Sequence, residues 1–252
     1  MSPTSLRPVF GIVLATVASL ATTGDARADG LKYTVGTMIG ASQSPFESGS
    51  SDTSILPYFS IEGEQFKLDL SGLTYGLTET ENFTLSARLA PRWVSADPSD
   101  TPGLEQLKRD VALEAGLAAG LTFGQFTAEF EALKDISDTH DGMVVSAAIS
   151  TGFGVTERLA VGVTAGVTWM DKNLATYSYG VRASEAGGSL AAYQVNASLI
   201  PSIGVEARYT LTDHVSLVGG AQIEFLPDNV TGSPIVQRDT LTSAMFGMRY
   251  AF

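Results

Sequence analysis

The chain has 252 residues, of which 44% are hydrophobic, with 26 glycines, no cysteine and a formal net charge of −12. An acidic surface repels nucleic acid, whose binding needs a basic footprint, so nucleic acid is excluded as a partner. The acidic balance suits contact with cations or with basic partner surfaces. The lack of cysteine excludes thiol catalysis and disulfide bonds.

The first segment resembles an export signal. Arg7 precedes a short apolar run at residues 9–21, and Ala26-Arg27-Ala28 has the small residues of a cleavage site. The run is shorter than the ~20 residues that a membrane-spanning helix needs, so an uncleaved anchor is the weaker alternative. We predict a cleavable signal peptide at residues 1–28 and a single domain at 29–252. No other segment is long and apolar enough for a spanning helix, so this domain can cross a membrane only as a closed barrel.

The N-terminal half of the domain contains weaker strand patterns. Residues 31–41 and 53–61 are plausible strands. Apolar residues then alternate over 66–70 and again, in the opposite phase, over 73–77, with Ser71-Gly72 between them. This change of phase indicates a short hairpin, and a bulge within one strand is almost as good an interpretation.

The rest of the chain alternates clearly between apolar and small or polar residues, as a strand does when one of its faces contacts lipid. The predicted strands cover 83–93, 111–119, 126–132, 145–151, 159–169, 198–211, 215–225 and 242–252. The last strand presents Phe246, Met248, Tyr250 and Phe252 on one face. It resembles the closing strand of outer-membrane barrels, whose terminal Phe is the signal read by the barrel assembly machinery.

These patterns predict an all-β fold, a transmembrane antiparallel up-and-down β-barrel of the bacterial outer-membrane type with about twelve strands. A bulge at Ser71-Gly72 would give eleven, but bacterial single-chain barrels have even strand numbers. Short turns then fall at the periplasmic end and long loops at the extracellular end, as in known barrels. A soluble β-sandwich is the alternative, but its strands would be shorter and its turns would lack this bias.

Charged residues occupy the inward phase of several strands. Mixed charges there can pair across the barrel and brace it, which is the favoured interpretation because a barrel of this size leaves limited internal room. A selective channel is the alternative, since lumen charges also tune permeation. The predicted lumen network comprises Arg88, Arg92, Glu114, Glu129, Glu131, Glu206, Arg208, Glu224 and Arg249.

The longest connection, residues 171–191, is rich in aromatic and polar side chains. Long loops usually have a functional reason, so we predict a folded extracellular loop that binds a ligand. Its candidate binding residues are Tyr177, Tyr179, Arg182 and Glu185. The alternative is an interfacial aromatic belt followed by a solvated loop.

The sequence offers no convincing catalytic or metal site. It contains two histidines, of which His140 lies among Asp135, Asp138 and Asp141. This group could bind a cation or form an Asp–His pair, but a solvated acidic loop is the favoured interpretation, because no nucleophile or oxyanion donor accompanies it. We expect no catalytic residue, no metal and no cofactor.

Several short motifs, in this order and spacing, resemble the MipA/OmpV family of outer-membrane proteins. The resemblance covers nearly the whole domain and is weakest before about residue 60. The motifs are Asp138-Thr139-His140-Asp141-Gly142, Thr176-Tyr177-Ser178-Tyr179-Gly180-Val181, Ser184-Glu185-Ala186, Ser233-Pro234-Ile235-Val236 and Tyr250-Ala251-Phe252.

The resemblance implies a barrel in the cell outer membrane without catalytic residues. The family's name-giving member is described as a scaffold that holds a murein hydrolase together with a murein synthase, and other members as porin-like or adhesion proteins. We therefore expect a non-enzymatic scaffold linked to murein synthesis, whose partners are outer-membrane lipid, the assembly machinery and murein enzymes. A narrow channel for small solutes and a surface adhesion protein are the alternatives.

Overall fold

The computed structural model describes residues 30–47, 51–188 and 190–252. Within these residues, twelve antiparallel strands close into one barrel in which each strand pairs with its neighbours in the chain and β1 pairs with β12. The predicted barrel class and strand number are confirmed. The predicted signal peptide lies outside the described residues.

The strands are β1 Lys32–Gln43, β2 Ser51–Glu62, β3 Phe66–Asp69, β4 Gly72–Glu79, β5 Phe83–Arg92, β6 Ala112–Phe123, β7 Phe126–Asp135, β8 Met143–Gly154, β9 Leu159–Met170, β10 Ser198–Thr210, β11 Val215–Phe225 and β12 Thr240–Ala251. Two short helices, α1 Lys172–Tyr179 and α2 Asp228–Thr231, and a 3-10 turn at Pro98–Asp100 lie in the connections. None of the helices in the described part of the chain is long and apolar enough to span a bilayer.

The two faces of each strand differ in chemistry because side chains alternate across the pleat. Outward residues such as Ile203 and Phe246 are each 57% exposed, whereas inward residues such as Met38 and Ile200 are 3% exposed. Apolar side chains that remain exposed around the whole wall are those that lipid covers in a membrane barrel.

The change of phase at Ser71-Gly72 is a hairpin, since Asp69 pairs with Gly72 and β3 and β4 form a ladder. Gly72 has a φ of +116°, and a Cβ there would lie 2.2 Å from the Leu89 carbonyl oxygen, so the tip requires glycine. The hairpin is short, and β2 pairs with β3 only at residues 60–62, although it pairs with β1 along residues 51–62. Above the hairpin tip, residues 53–59 of β2 and residues 90–92 of β5 therefore have no paired strand between them, and this unpaired stretch is here called the wall notch.

The two ends of the barrel differ strongly. Tight turns close one end, the short-turn end, where both termini of the described domain also lie. The other end, the long-loop end, carries longer connections, whose described residues are 44–47, 93–111, 136–142, 171–188, 190–197 and 226–239. The buried apolar cluster of the protein lies at the long-loop end, so these connections fold over the barrel mouth.

Candidate functional site

A buried ion pair links β5 to β6 beneath the long loops. The Arg92 guanidinium donates to both oxygens of Glu114, at 2.6 Å from Nε and 2.8 Å from Nη2. The two side chains are 10% and 2% exposed, so both charges depend on each other for compensation. His140 adds a third group, with its Nε2 atom 3.2 Å from Glu114 Oε1.

His140 belongs to a compact loop that Asp135 organises. The Asp135 carboxylate accepts hydrogen bonds from the backbone N–H groups of Ser137, His140 and Asp141. The His140 Nδ1 atom accepts from the Gly142 N–H at 2.9 Å, so in the neutral ring Nε2 carries the proton and faces Glu114. The interpretation of this segment as a solvated acidic loop is wrong for His140, whose side chain is fully buried because the loop folds into the mouth.

A second buried ion pair joins two of the long connections. The Arg109 guanidinium donates to both carboxylate oxygens of Glu185 and to the backbone carbonyls of Tyr177 and Gly180. Arg182 donates to the same carboxylate. Burial opposes ionisation of Glu185, but the hydrogen bonds and charges of the two arginines outweigh it and lower the pKa of that carboxyl.

Tyr177 packs at the centre of these interactions. Its ring lies 5.2 Å from each of the Arg109 and Arg182 guanidinium carbons and 5.5 Å from the His140 ring. Its hydroxyl donates to the Asp110 carbonyl oxygen and accepts from the Asp110 N–H. Burial raises the pKa of Tyr177. The aromatic ring therefore joins the two ion-pair clusters into one network.

Helix α1 positions Tyr177 and Tyr179. Asp171 caps its N-terminus by accepting from the Leu174 N–H at 2.9 Å, and residues 174–177 and Tyr179 are buried. The predicted folded loop is thus present. The side chains of Tyr177, Tyr179 and Glu185 are buried inside it, while the Arg182 side chain stays 41% exposed. Ligand binding by this loop stays a prediction.

The long connections share a hydrophobic core, here called the mouth plug. Helix α1, helix α2 and the strand ends contribute to it, and several members are less than 2% exposed. Its buried side chains are Phe46, Ala90, Leu107, Leu133, Val144, Met170, Leu174, Ala175, Tyr179, Val181, Val195, Ile200, Leu226, Val230, Ile235 and Val236.

A partly open cavity of about 120 Å³ lies among the plug residues. Its walls include Phe46, Trp93 and Tyr179 together with Arg92 and Glu224. The Ser42 hydroxyl, which is also in the wall, is buried and has no hydrogen-bond partner within the described residues. A cavity of this size has room for a few waters or a very small ligand.

The remaining lumen charges lie nearer the short-turn end or outside these two ion-pair clusters. Arg88 donates to Glu131 at 2.8 Å and to the Thr74 hydroxyl. Arg249 lies 4.3 Å over the Tyr58 ring. Glu224 accepts from Gln222, and Glu129, Glu206 and Arg208 also face the lumen. Among the nine predicted residues, the structure pairs Arg88 with Glu131 and Arg92 with Glu114. A network that joins all nine stays a prediction.

Sequence reasoning missed Arg109 and the role of Asp135. Arg109 lies in an irregular connection with no alternation to place it, and its partner Glu185 is 76 residues away. The cue for Asp135 was the nearby Ser, His and Asp residues, which are typical of side-chain-capped turns. Among the described residues, no group of three or more His, Asp or Glu side chains is arranged to hold a metal ion.

The outward residues of β12 lie where the assembly signal was predicted. Phe246, Met248 and Tyr250 are 57%, 53% and 41% exposed on the outer face, and the terminal Phe252 is 56% exposed. Tyr250 and Phe252 make an edge-on ring contact at 4.9 Å. Recognition by the assembly machinery stays a prediction.

This chain is similar in sequence and in fold to known outer-membrane proteins. The chain is 28% identical over 231 residues to the Escherichia coli outer-membrane protein YiaT, covering 90% of this chain and 94% of that protein. It is 28% identical over 254 residues to the MltA-interacting protein of Escherichia coli K12, covering 96% and 97%. Among solved structures, the NanC porin superposes with a TM-score of 0.50 at 6% identity, covering 86% of this chain and 98% of that one, which shows a shared fold alone.

The barrel fold and these relatives identify an outer-membrane β-barrel. The model of the family described as MltA-interacting protein MipA matches residues 35–252, so the chain belongs to that family.

Proposed function

We propose that this chain is a non-enzymatic scaffold of the outer membrane that holds murein-processing enzymes at the inner surface of that membrane. The observation that carries the proposal is the mouth plug. A barrel whose mouth is filled by a hydrophobic core and two buried ion pairs offers little free passage, so an interaction role fits it better than transport.

The short-turn end supports an interaction role. In outer-membrane barrels the short turns face the periplasm, where murein lies. The turns at this end expose the carboxylates of Glu64, Glu81, Glu157 and Asp213, and the basic side chain of Arg158 lies among them. An acidic rim of this kind attracts a partner with a basic surface and speeds its association.

The name of one relative indicates which partner to test. That relative is called MltA-interacting protein, and its similarity extends over almost all of both chains. A murein hydrolase is therefore the first partner to test for this chain, followed by a murein synthase.

Photo-crosslinking from single positions tests this scaffold role. A crosslinking amino acid at Glu81 or Asp213, at the short-turn end, is expected to capture a murein hydrolase or synthase in living cells. The same amino acid at Glu105, in a long connection, serves as the matched control and is expected to capture neither. Absence of murein enzymes from the Glu81 and Asp213 products, with the barrel correctly assembled, would contradict the proposal.

A narrow channel is the second candidate, and the charged lower lumen favours it. Glu206, Arg208 and Arg249 face the lumen below the plug, where charges tune permeation in known barrels. Discrete openings in a planar bilayer that change when Arg249 is replaced by Gln would support this alternative.

A further inference from the structure

Two hydroxyl groups in the wall of the cavity lack hydrogen-bond partners within the described part of the chain. Ser42 is 9% exposed, and its hydroxyl is one of them. Tyr179 is also 9% exposed, and its hydroxyl makes no hydrogen bond to a described residue. Both residues line the same cavity. Buried polar groups are almost always hydrogen-bonded, so two unpaired hydroxyls around one space indicate that a ligand or water binds there.

Glu224 brings a carboxyl group to the same wall, on the inner face of β11. It accepts one hydrogen bond, from Gln222 at 3.2 Å, and no Arg, Lys or His nitrogen of the described residues lies within 4.0 Å of it. Burial, and then the neighbouring Glu224 carboxylate, raise the pKa of Tyr179, so this hydroxyl stays protonated beside it. An ionised carboxyl in such a place costs free energy unless a cation accompanies it.

Each of the other charged side chains that line the cavity has a partner of opposite charge. The pairs are Arg92 with Glu114, Arg109 with Glu185, and Asp110 with Lys108. The uncompensated charge of the wall is therefore that of Glu224, which is negative. A cation complements this wall, and an anion does not.

Aromatic rings form another part of the wall. Phe46, which is 2% exposed, and Trp93 both line the cavity. Aromatic faces attract ammonium groups and also cover the alkyl part of an organic cation. Because a cavity of about 150 Å³ holds benzene, this cavity of about 120 Å³ has room for a molecule of roughly four to six non-hydrogen atoms. A bare metal ion would leave most of that space unfilled.

We propose that the cavity binds a small organic ammonium ion that also carries a hydroxyl group. The ammonium group donates hydrogen bonds to Glu224, the hydroxyl group pairs with Ser42 or Tyr179, and the short alkyl chain packs against Trp93. The cavity is partly open, so a molecule of this size can enter it. This inference is independent of the scaffold role.

Trp93 allows binding to be measured directly. The chain has one other tryptophan, Trp169, on the face of β9 that also exposes Val163, so Trp169→Phe leaves Trp93 as the single reporter. The full barrel is folded into micelles of an uncharged detergent, and its fluorescence is recorded during titration with ethanolamine at constant ionic strength. Ethylene glycol and glycolate, in which a hydroxyl or a carboxylate replaces the ammonium group, are the neutral and anionic controls.

We expect ethanolamine to change the Trp93 fluorescence in a saturable way and the two controls to leave it unchanged. Glu224→Gln should weaken ethanolamine binding by about tenfold or more, the size of a lost charge-assisted hydrogen bond. Glu131→Gln removes a lumen carboxylate that pairs with Arg88 instead, and it should bind as the native chain does. No response to ethanolamine, or equal responses to all three molecules, would show that the cavity holds water alone and overturn the proposal. Unchanged binding in Glu224→Gln would overturn it equally.

Tyr179→Phe separates binding from structure. Its hydroxyl has no partner in the empty barrel, so the variant should keep the native unfolding midpoint and bind ethanolamine severalfold more weakly. A lower midpoint with unchanged binding would assign the hydroxyl to the fold and contradict the proposal. Ser42→Ala carries the same expectation and replaces Glu224→Gln if the latter does not fold.

A lipid headgroup is a second source of the same ammonium chemistry. Glycerophosphoethanolamine carries the ammonium group on a phosphate, for which the described wall residues offer no uncompensated cation. It is therefore expected to bind more weakly than ethanolamine. Tighter binding of glycerophosphoethanolamine would assign the site to a lipid headgroup and overturn the proposal of a free ammonium ligand.

Discussion

Individual charges in this barrel differ in how much they depend on their partners. Glu114 is 2% exposed and receives two hydrogen bonds from Arg92, whereas Glu131, which pairs with Arg88, is 29% exposed. Removing one partner of a buried pair leaves the other charge uncompensated in a medium of low dielectric constant. The same chemical change should therefore cost much more at Glu114 than at Glu131.

We expect Glu114→Gln to lower the free energy of unfolding by about 3 to 5 kcal/mol, because Arg92 then loses its buried counter-charge. Guanidinium unfolding of the barrel in vesicles measures this effect. Glu131→Gln is the matched control and should cost about 1 kcal/mol or less, as partly exposed pairs do. Equal losses at the two positions would show that Arg92 and Glu114 are not buried together.

Neighbouring residues on opposite faces of β10 provide a second test at this scale. Val205 is 51% exposed on the outer face, and a Cβ at Gly204, on the lumen face, would have its nearest contact at 3.6 Å. We expect Val205→Arg to cost about 2 to 4 kcal/mol, the cost of a basic residue facing lipid near the bilayer midplane, and Gly204→Arg to cost less. Folding yields in vesicles that fall equally for both variants would contradict the facing of this strand.

The strands could be predicted from the sequence, whereas the packing of the loops could not. The strands were predictable because a two-residue alternation fixes which side chains face lipid, and it correctly placed Phe246 outside and Arg88 inside. The short hairpin at Ser71-Gly72 was predictable because the alternation changes phase there. The interior of the mouth plug was not predictable, since Arg109 and Glu185 belong to irregular segments and meet only through the fold of several connections.

The wall notch shows another limit of prediction from the sequence. The sequence contains Pro57 and Pro91 within predicted strands, but proline alone does not say which neighbouring strand is missing. Only the pairing of β2 and of β5 with their neighbours shows that both prolines lie beside the same unpaired stretch. His140 shows the same limit for burial, because a loop rich in aspartate looks solvated until the fold places its histidine against Glu114.

Acid should loosen the loop that contains Glu185. Because the folded-state pKa of this carboxyl is lowered, its contribution to stability is complete above the ordinary pKa of 4.5 and is lost as the pH falls through the lowered value. We expect the hydrogen-exchange protection factors of the backbone amides of residues 180–187, which correct for the intrinsic pH dependence of exchange, to fall below pH 4.5, as the bonds from Arg109 and Arg182 are lost.

Glu185→Gln separates this carboxyl from the others that titrate in the same range. The protection factors of these amides should be lower in the variant than in the native chain at neutral pH, and they should fall less in acid. A fall in acid as large as that of the native chain would mean that Glu185 does not hold the loop.

At the scale of the whole molecule, the barrel combines a lipid-facing wall, a closed mouth and an acidic short-turn end. The exposed apolar wall and the outer-membrane relatives agree with a location in the outer membrane. The proposed scaffold role requires a stable and accessible surface at the short-turn end, whose turn residues Glu64, Glu81, Glu157 and Asp213 are exposed.

The closed mouth is tested most directly by conductance across a planar bilayer. The purified native barrel is expected to remain silent, because the mouth plug and the Arg92–Glu114 and Arg109–Glu185 pairs occupy the lumen entrance. A variant in which residues 172–190 are replaced by a short glycine-serine linker loses α1 and Glu185 and is expected to conduct. Discrete openings of the native barrel, equal in size to those of the loop variant, would contradict the closed mouth and favour a channel.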